Sequence, residues 1–479
     1  MELNIMDNKL KRNLVYNAIT QLIIVLVPLI TAPYIARKLD VELIGNYNYC
    51  FSIVSFFGLF ANLGISVTGI SLVGKAKNDK KALSKLFFEL MGLRFIFTLV
   101  TLFAYVFFVI ITHEFYYYFM IFSLLIISTF LDITWLFQGL EEFKIVFIRT
   151  IFVRLILLVL TFVLVKSKES IYIYVWINVL STLIPNILLF PYLKKIICKV
   201  PINEIKPFRN IDTIIKFFLP GVVYSTYSLI DKAMIKIITG GTIEVGYYEQ
   251  AYKIAFIGVT IISVISTVFS SRISGLTEEE EIKKMHKLSW NMTMFISLLA
   301  FVGFFILSDF FIPFYYGDGY EGSISILKVF SILPLIMGIS HFVSYQFFLP
   351  KLITKPSIIA ISSAIILNIC LNIVLIKHYG GLGAALATII SETYISVFYL
   401  ICYNKYNKII VLIKSSWKIF IGTTLVLVFI LILSYFYRCN SLMDFSVYIV
   451  LICSSYLLVL ILLREETLVS ILKKLFRRK

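Results

Sequence analysis

Four charged residues stand where hydrophobicity alone would exclude them. Within Lys216–Arg272, two apolar runs, Phe217–Ile238 and Tyr247–Ser271, are joined by the turn 239–246; the first contains Asp231, Lys232 and Lys236 and the second Lys253. Each run is long enough to cross a hydrocarbon core of roughly 30 Å at about 1.5 Å per residue. A charge near the middle of a spanning helix costs about 2.5–3.5 kcal/mol on insertion scales, so the protein must compensate these. Asp231 and Lys253 each lie eleven residues from Thr242. On antiparallel helices they are expected at one depth, in the outer half of the membrane. Such a pair either braces two helices or faces a path for something polar; the roles are compatible if the pair forms in one state and separates in another.

The rest of the chain must supply a membrane setting, and it does. Of 479 residues, 60% are hydrophobic and only 15% charged, with a mean hydropathy of +0.94. This composition describes an integral membrane protein. The net charge of +17 reflects a cytoplasmic excess of Lys and Arg rather than nucleic-acid binding. Six scattered cysteines form no C-x-x-C pair and four histidines share no metal-ligand spacing; no disulfide, metal or cofactor is expected. The basic start and apolar run from Leu14 lack a clean cleavage pattern and read as a retained first helix.

Fourteen apolar segments run from Leu14–Ala36 to Phe445–Leu463, predicting an all-α membrane protein with both termini on one side. Loops on the side of the N-terminus carry thirty-one Lys and Arg, the opposite loops six. That bias places both termini in the cytoplasm. Leu193–Lys216, with Pro201 and Pro207, reads as a linker between halves. The expected division is a six-helix lobe 1–205, a second 206–410, and two further helices with a basic tail at 411–479. In the tail, Leu468, Ile471, Leu472 and Leu475 fit a short amphipathic helix on the anionic inner leaflet.

Seven basic residues fall inside apolar segments: Arg94, Arg149, Arg154, Lys232, Lys236, Lys253 and Lys328. Embedded acids include Asp132, Asp231 and Glu392. Lys236 and Lys328 lie near segment ends and can snorkel. Arg154 lies near mid-membrane and cannot. Asp132 and Arg149, similarly distant from the turn at Glu141, make a second depth-matched pair, expected to be structural.

The turns at Asp40–Tyr47 and Gly241–Tyr248 match weakly, each with Glu, then Gly, then Tyr, and each joins the first two segments of its half. Two halves in one orientation imply a parallel repeat about an axis along the membrane normal.

Over nearly its whole length the chain resembles the polysaccharide repeat-unit (Wzx-type) flippases of the multidrug/oligosaccharidyl-lipid/polysaccharide (MOP) exporter superfamily. The resemblance rests on the order of several features. Gly45-Asn46-Tyr47-Asn48-Tyr49 opens segment two, and Leu63-Gly64-Ile65 precedes the basic Lys75–Lys85 loop. Trp135-Leu136-Phe137-Gln138-Gly139-Leu140-Glu141 closes segment four. Asp231-Lys232 lies in segment seven, and Gly246-Tyr247-Tyr248-Glu249-Gln250-Ala251-Tyr252-Lys253 opens segment eight. The resemblance implies two six-helix lobes around a central cavity plus two C-terminal helices. It also implies movement of an undecaprenyl-diphosphate-linked oligosaccharide to the outer leaflet by alternating access, in the bacterial cytoplasmic membrane, beside membrane lipids and other polysaccharide-assembly proteins. A diphosphate needs cations and a glycan needs a wet path. Arg154, Lys232, Lys253 and Arg94 are the candidates for a cationic lining. Asp231 and Glu392 would hold those cations or carry a coupling H+ or Na+.

Other exporters of the same fold are the nearest rivals: a peptidoglycan-precursor flippase, or a multidrug antiporter, whose cationic cargo would favour an acidic cavity. Here embedded bases outnumber acids. A membrane glycan polymerase is disfavoured because the longest external stretch, Ser308–Gly322, offers only Asp309, Asp318 and Glu321.

Overall fold

A computed structural model describes residues 8–351, 353–437, 439 and 441–465. The expected amphipathic helix of the tail and Arg438 lie outside the described residues. Among those described, all regular structure is helical. Eleven stretches are long and apolar enough to cross a membrane. One of them, Lys355–Asn404, is two helices merged across a kink at Gly380. With α1 (Asn8–Lys38) and α10 (Ile211–Thr239), the fourteen expected segments are all present as helix. Their outer faces are apolar: Val100, Phe103 and Phe107 on α4 (Lys80–Thr112) are 62%, 79% and 60% exposed. Side chains of this kind need lipid around them. The chain is a multi-pass membrane protein.

Two compact units divide the chain, Met1–Ala233 and Met234–Lys479. In the first, three of the expected segments are broken. Segment two becomes α2 (Val41–Asn62) and α3 (Ile65–Ala76), parted by Leu63 and Gly64 with φ of 46° and 70°. A Cβ on Gly64 would also meet the Phe218 backbone at 3.0 Å, so both conformation and space demand glycine there. Segment four becomes α5 (Tyr116–Leu131) and α6 (Thr134–Gly139); Asp132 ends the first in an extended conformation and its Oδ1 accepts the Thr134 amide at 2.9 Å. Segment six becomes α8 (Ile171–Ile187) and α9 (Phe190–Ile196). By contrast α7 (Phe143–Leu164) is unbroken.

The Trp135–Glu141 stretch has a packing explanation. Trp135, Leu136 and Phe137 are at most 1% exposed. A Cβ on Gly69 of α3 would lie 2.7 Å from the Trp135 ring, and one on Gly139 would lie 2.6 Å from Val73. Two glycines thus let α3 and α6 approach until the indole fills the gap between them. The linker is fastened to this unit. The Cys198 amide donates to Ser84 Oγ at 2.9 Å and the Lys206 amide to Glu89 Oε1 at 3.3 Å. Arg209 approaches the same carboxylate at 3.9 Å, and Glu89 is 2% exposed.

The second unit contains α11 (Ile243–Ser274), α12 (Glu279–Tyr316), α13 (Gly322–Phe330), α14 (Leu333–Val343), α15 (Lys355–Asn404), α16 (Ile409–Phe436) and α17 (Leu442–Leu462). A π-helical turn, Ser344–Phe348, follows α14. The weak sequence repeat acquires a structural counterpart in an aromatic triad found in both units. In the first, Tyr47 stacks on Phe51 (6.0 Å, 7°) and meets Phe122 edge-on (5.5 Å, 63°). In the second, Tyr248 stacks on Tyr252 (6.1 Å, 7°) and meets Phe330 edge-on (5.4 Å, 72°). Tyr47 and Tyr248 are the matched tyrosines of the two turns.

Candidate functional site: a cationic cavity in the first unit

The first unit encloses a polar cavity of about 320 Å³ at the helix breaks. Ser66 reaches it from just past the α2–α3 break, Asp132 and Thr134 from the α5–α6 break, and Asn186 from the end of α8. Irregular backbone at membrane depth is tolerated where it is buried or lines such a space. Much of the remaining wall is one face of α7, carrying Arg149, Thr150 and Arg154, and one face of α8, carrying Ser181, Thr182 and Asn186, with Thr20 and Ile24 of α1 beside them. A smaller cavity of about 60 Å³ shares Arg154 and Ser181 and adds Thr31, Tyr174 and Asn178.

Arg149 is anchored. Its guanidinium donates to Asn186 Oδ1 at 3.2 Å and to Thr134 Oγ1. Asn186 is held in turn, its amide donating to Ser128 O at 3.0 Å and Ser128 Oγ at 3.1 Å. The expected Asp132–Arg149 ion pair does not form: Thr134 stands between, giving its amide to Asp132 and its hydroxyl oxygen to Arg149. Equal depth fixes height on two helices but not the direction in which each side chain points.

Arg154 is different. It occupies the middle of the 22-residue α7, roughly 16 Å from either end at about 1.5 Å per residue. Among the described residues it has no carboxylate partner and no hydrogen bond, and its Nε is buried without an acceptor. A charge so placed is costly unless a cavity or a visiting anion receives it.

Arg94 has the opposite character. It is fully buried and both of its terminal nitrogens are engaged by the protein, Nη1 donating to Asp132 O and Nη2 to Asn62 Oδ1 and, at 2.9 Å, to Ser66 Oγ. It ties the α2–α3 break to the α5–α6 break. Asp231 and Lys232 are buried at 1% and 8% exposure on α10, and Glu392 at 6% on α15. Lys253 of α11 pairs with Glu249, one turn away, at 3.6 Å. Lys328 pairs with Asp309 at 2.7 Å, both partly exposed, as expected for a snorkelling lysine. The cavity therefore gathers Arg149 and Arg154, and neither Lys232 nor Lys253 lines it. Sequence reasoning missed its uncharged wall. The signal was present: Asn178, Ser181, Thr182 and Asn186 recur at helical spacing and form a polar stripe on an otherwise apolar span.

Comparison with known proteins gives this geometry a family. A family model described as polysaccharide biosynthesis protein matches residues 10–271. A proposed O-antigen transporter of Escherichia coli (strain K12) is 24% identical over 413 residues, covering 84% of this chain and 98% of its own. A proposed low-salt glycan biosynthesis flippase of Haloferax volcanii is 28% identical over 207 residues, 40% of this chain and 42% of its own. Among solved structures, the lipid II flippase MurJ in an inward closed conformation aligns with a TM-score of 0.77 at 17% identity, covering 93% of this chain and 98% of that one. An inward-facing multidrug transporter of the MOP superfamily aligns with a TM-score of 0.59 at 14% identity, covering 82% and 99%. These two likenesses show the fold alone, which the chain shares with that flippase and that transporter. The chain belongs to the polysaccharide biosynthesis protein family.

Proposed function

We propose that this protein is a flippase that carries a diphosphate-linked oligosaccharide on a polyprenyl lipid from the cytoplasmic to the outer leaflet, for assembly of a surface polysaccharide. The observation that carries the proposal is Arg154, a mid-membrane cation without a protein partner, beside the anchored Arg149 in a polar cavity. Two guanidiniums suit a diphosphate, since each offers a planar fork of donors to phosphate oxygens. The hydroxyl and amide stripe of α8 suits sugar hydroxyls, which need hydrogen-bond partners wherever the bilayer withholds water. The relatives named as an O-antigen transporter and a glycan flippase support the same cargo class. The protein is a transporter and not an enzyme.

In this reading the halves 1–205 and 206–410 alternate access about a central cavity, with 411–479 appended and both termini cytoplasmic. Lys232 and Lys253 supply further cations along the path, and Asp231 and Glu392 balance them or carry a coupling proton or sodium ion. Arg94 braces the helix breaks rather than touching cargo. Enzymes that build and polymerise the repeat unit are the expected neighbours in the membrane.

Deleting the gene and identifying the lipid-linked saccharide left facing the cytoplasm tests the cargo. Accumulation of a diphosphate-linked oligosaccharide, relieved by the wild-type gene, is the expected result. An unchanged lipid-linked pool would overturn it. Arg154→Ala and Lys253→Ala, each expressed at normal abundance, should fail to restore surface polymer; full restoration by either removes that residue from the path.

A further inference from the structure

A third cavity, of about 440 Å³, lies in the first unit, where α3, α6 and α9 end. Its polar rim includes Lys77, Lys80 and Lys195, and its apolar wall Leu83, Ile145 and Ile196. Lys77 is occupied by Glu141 at 2.8 Å. Lys80 donates only to the Lys195 carbonyl, at 3.4 Å. Among the described residues neither Lys80 nor Lys195 forms an ion pair, so two ammonium groups face one opening. Glu142 also lines the cavity and leaves the balance positive.

The apolar wall does not end at the rim. Ile145 begins a face of α7 that continues through Ile148, Phe152 and Ile156, which are 53%, 64% and 44% exposed. These positions repeat at three and four residues, so they form one strip rising along the helix into the hydrocarbon region. Tyr192, half-exposed and lining the cavity, suits the headgroup level. A soluble anion would satisfy the lysines and leave the strip unexplained. A lipid satisfies both.

We propose that this cavity is a binding site for an anionic membrane phospholipid, its phosphate held by Lys80 and Lys195 and one acyl chain laid along Ile148 and Phe152. The site is separate from the Arg149–Arg154 cavity and does not depend on what the protein transports.

The test is native mass spectrometry of the purified full chain titrated with phosphatidylglycerol, with phosphatidylcholine and inorganic phosphate as comparison ligands. Wild type should retain phosphatidylglycerol in preference to phosphatidylcholine. Lys80→Ala/Lys195→Ala should weaken its retention about thirtyfold, from the attraction of two lysines near an anionic headgroup. Lys80→Arg/Lys195→Arg should keep it, which guards against misfolding as the cause. Lys194→Ala/Lys199→Ala, with the same loss of charge outside the cavity lining, should also keep it. The proposal fails if the Lys80/Lys195 alanine variant binds as wild type does, or if the control pair is weakened equally. Displacement of phosphatidylglycerol by inorganic phosphate alone would reassign the site to a soluble anion and overturn the lipid.

Discussion

Arg94, at the helix breaks, and Arg154, in the middle of α7, should respond oppositely to the same substitution. Arg94→Leu removes a guanidinium that three acceptors share, strands the Asp132 carbonyl in the interior and leaves Asn62 and Ser66 only the bond between them. Leaving buried partners of a charged donor unpaired costs roughly 3–5 kcal/mol, so Arg94→Leu should melt well below wild type and accumulate poorly. Arg154→Leu removes a cation that has no partner to strand. On insertion scales an arginine at the centre of a span costs about 3 kcal/mol more than leucine, and water and the hydroxyls of the cavity offset part of that. Arg154→Leu should therefore melt at or above wild type while losing transport. The assay pairs thermal unfolding of the purified variants, followed by intrinsic fluorescence, with restoration of surface polymer at matched abundance. If Arg154→Leu melts as far below wild type as Arg94→Leu, Arg154 has a structural partner and the reasoning is wrong. If it restores polymer fully, the residue is not on the transport path.

Three further outcomes follow from local geometry. Gly69→Ala drives a methyl against the Trp135 ring, 2.7 Å away, and should destabilise the first unit by roughly 1–3 kcal/mol; an unchanged melting temperature would refute the close packing of α3 on α6. Glu89→Ala removes the acceptor of the Lys206 amide and the partner of Arg209, so trypsin should cut the linker at Lys199 and Arg209 about tenfold faster; equal rates would mean that the linker is held elsewhere. At Asp40, burial pushes the carboxyl up, but Lys168 and the Leu43 amide outweigh it and hold its pKa below the ordinary value. A depressed folded pKa gives stability that is present above the unfolded value of about 3.9 and lost as pH falls through the folded one. Asp40→Asn should thus lie below wild type at neutral pH by less than about 1 kcal/mol, since the pair is largely exposed, and converge with it in acid. A gap that persists at the lowest pH counts against the ion pair.

Hydropathy made the fourteen segments legible because lipid tolerates little else, and it hid their interruptions for the same reason. Leu63-Gly64 and Asp132-Ile133 sit inside apolar stretches whose average hardly changes at the break. What breaks the helix is a left-handed pair in one case and an Asp side chain capping the next turn in the other. The charged residues were legible as anomalies, and their partners were not. Asp132 and Arg149 share a depth, but a threonine from the break comes between them. Glu89 and Glu249, both under 10% exposed, escaped the count of embedded acids because each stands near a segment end, where charge is cheap. The wall of the cavity was readable after all, in the polar stripe of α8, since small polar residues at helical spacing in lipid must face something.

The kink at Gly380 has a consequence for biogenesis. A continuous helix over Lys355–Asn404, 50 residues long, would extend about 75 Å, more than twice the hydrocarbon thickness. Instead the chain doubles back, bringing Gly383 against the Leu375 carbonyl. Gly380 makes the reversal with φ 57° and ψ −135°, and the Glu244 carboxylate receives the next amide, Gly381, at 2.8 Å. One residue without a side chain therefore sets the parity of the polypeptide as the insertion machinery threads it. The stretch counts as two spans and not one, so everything after it lies on the opposite side from where a single span would leave it.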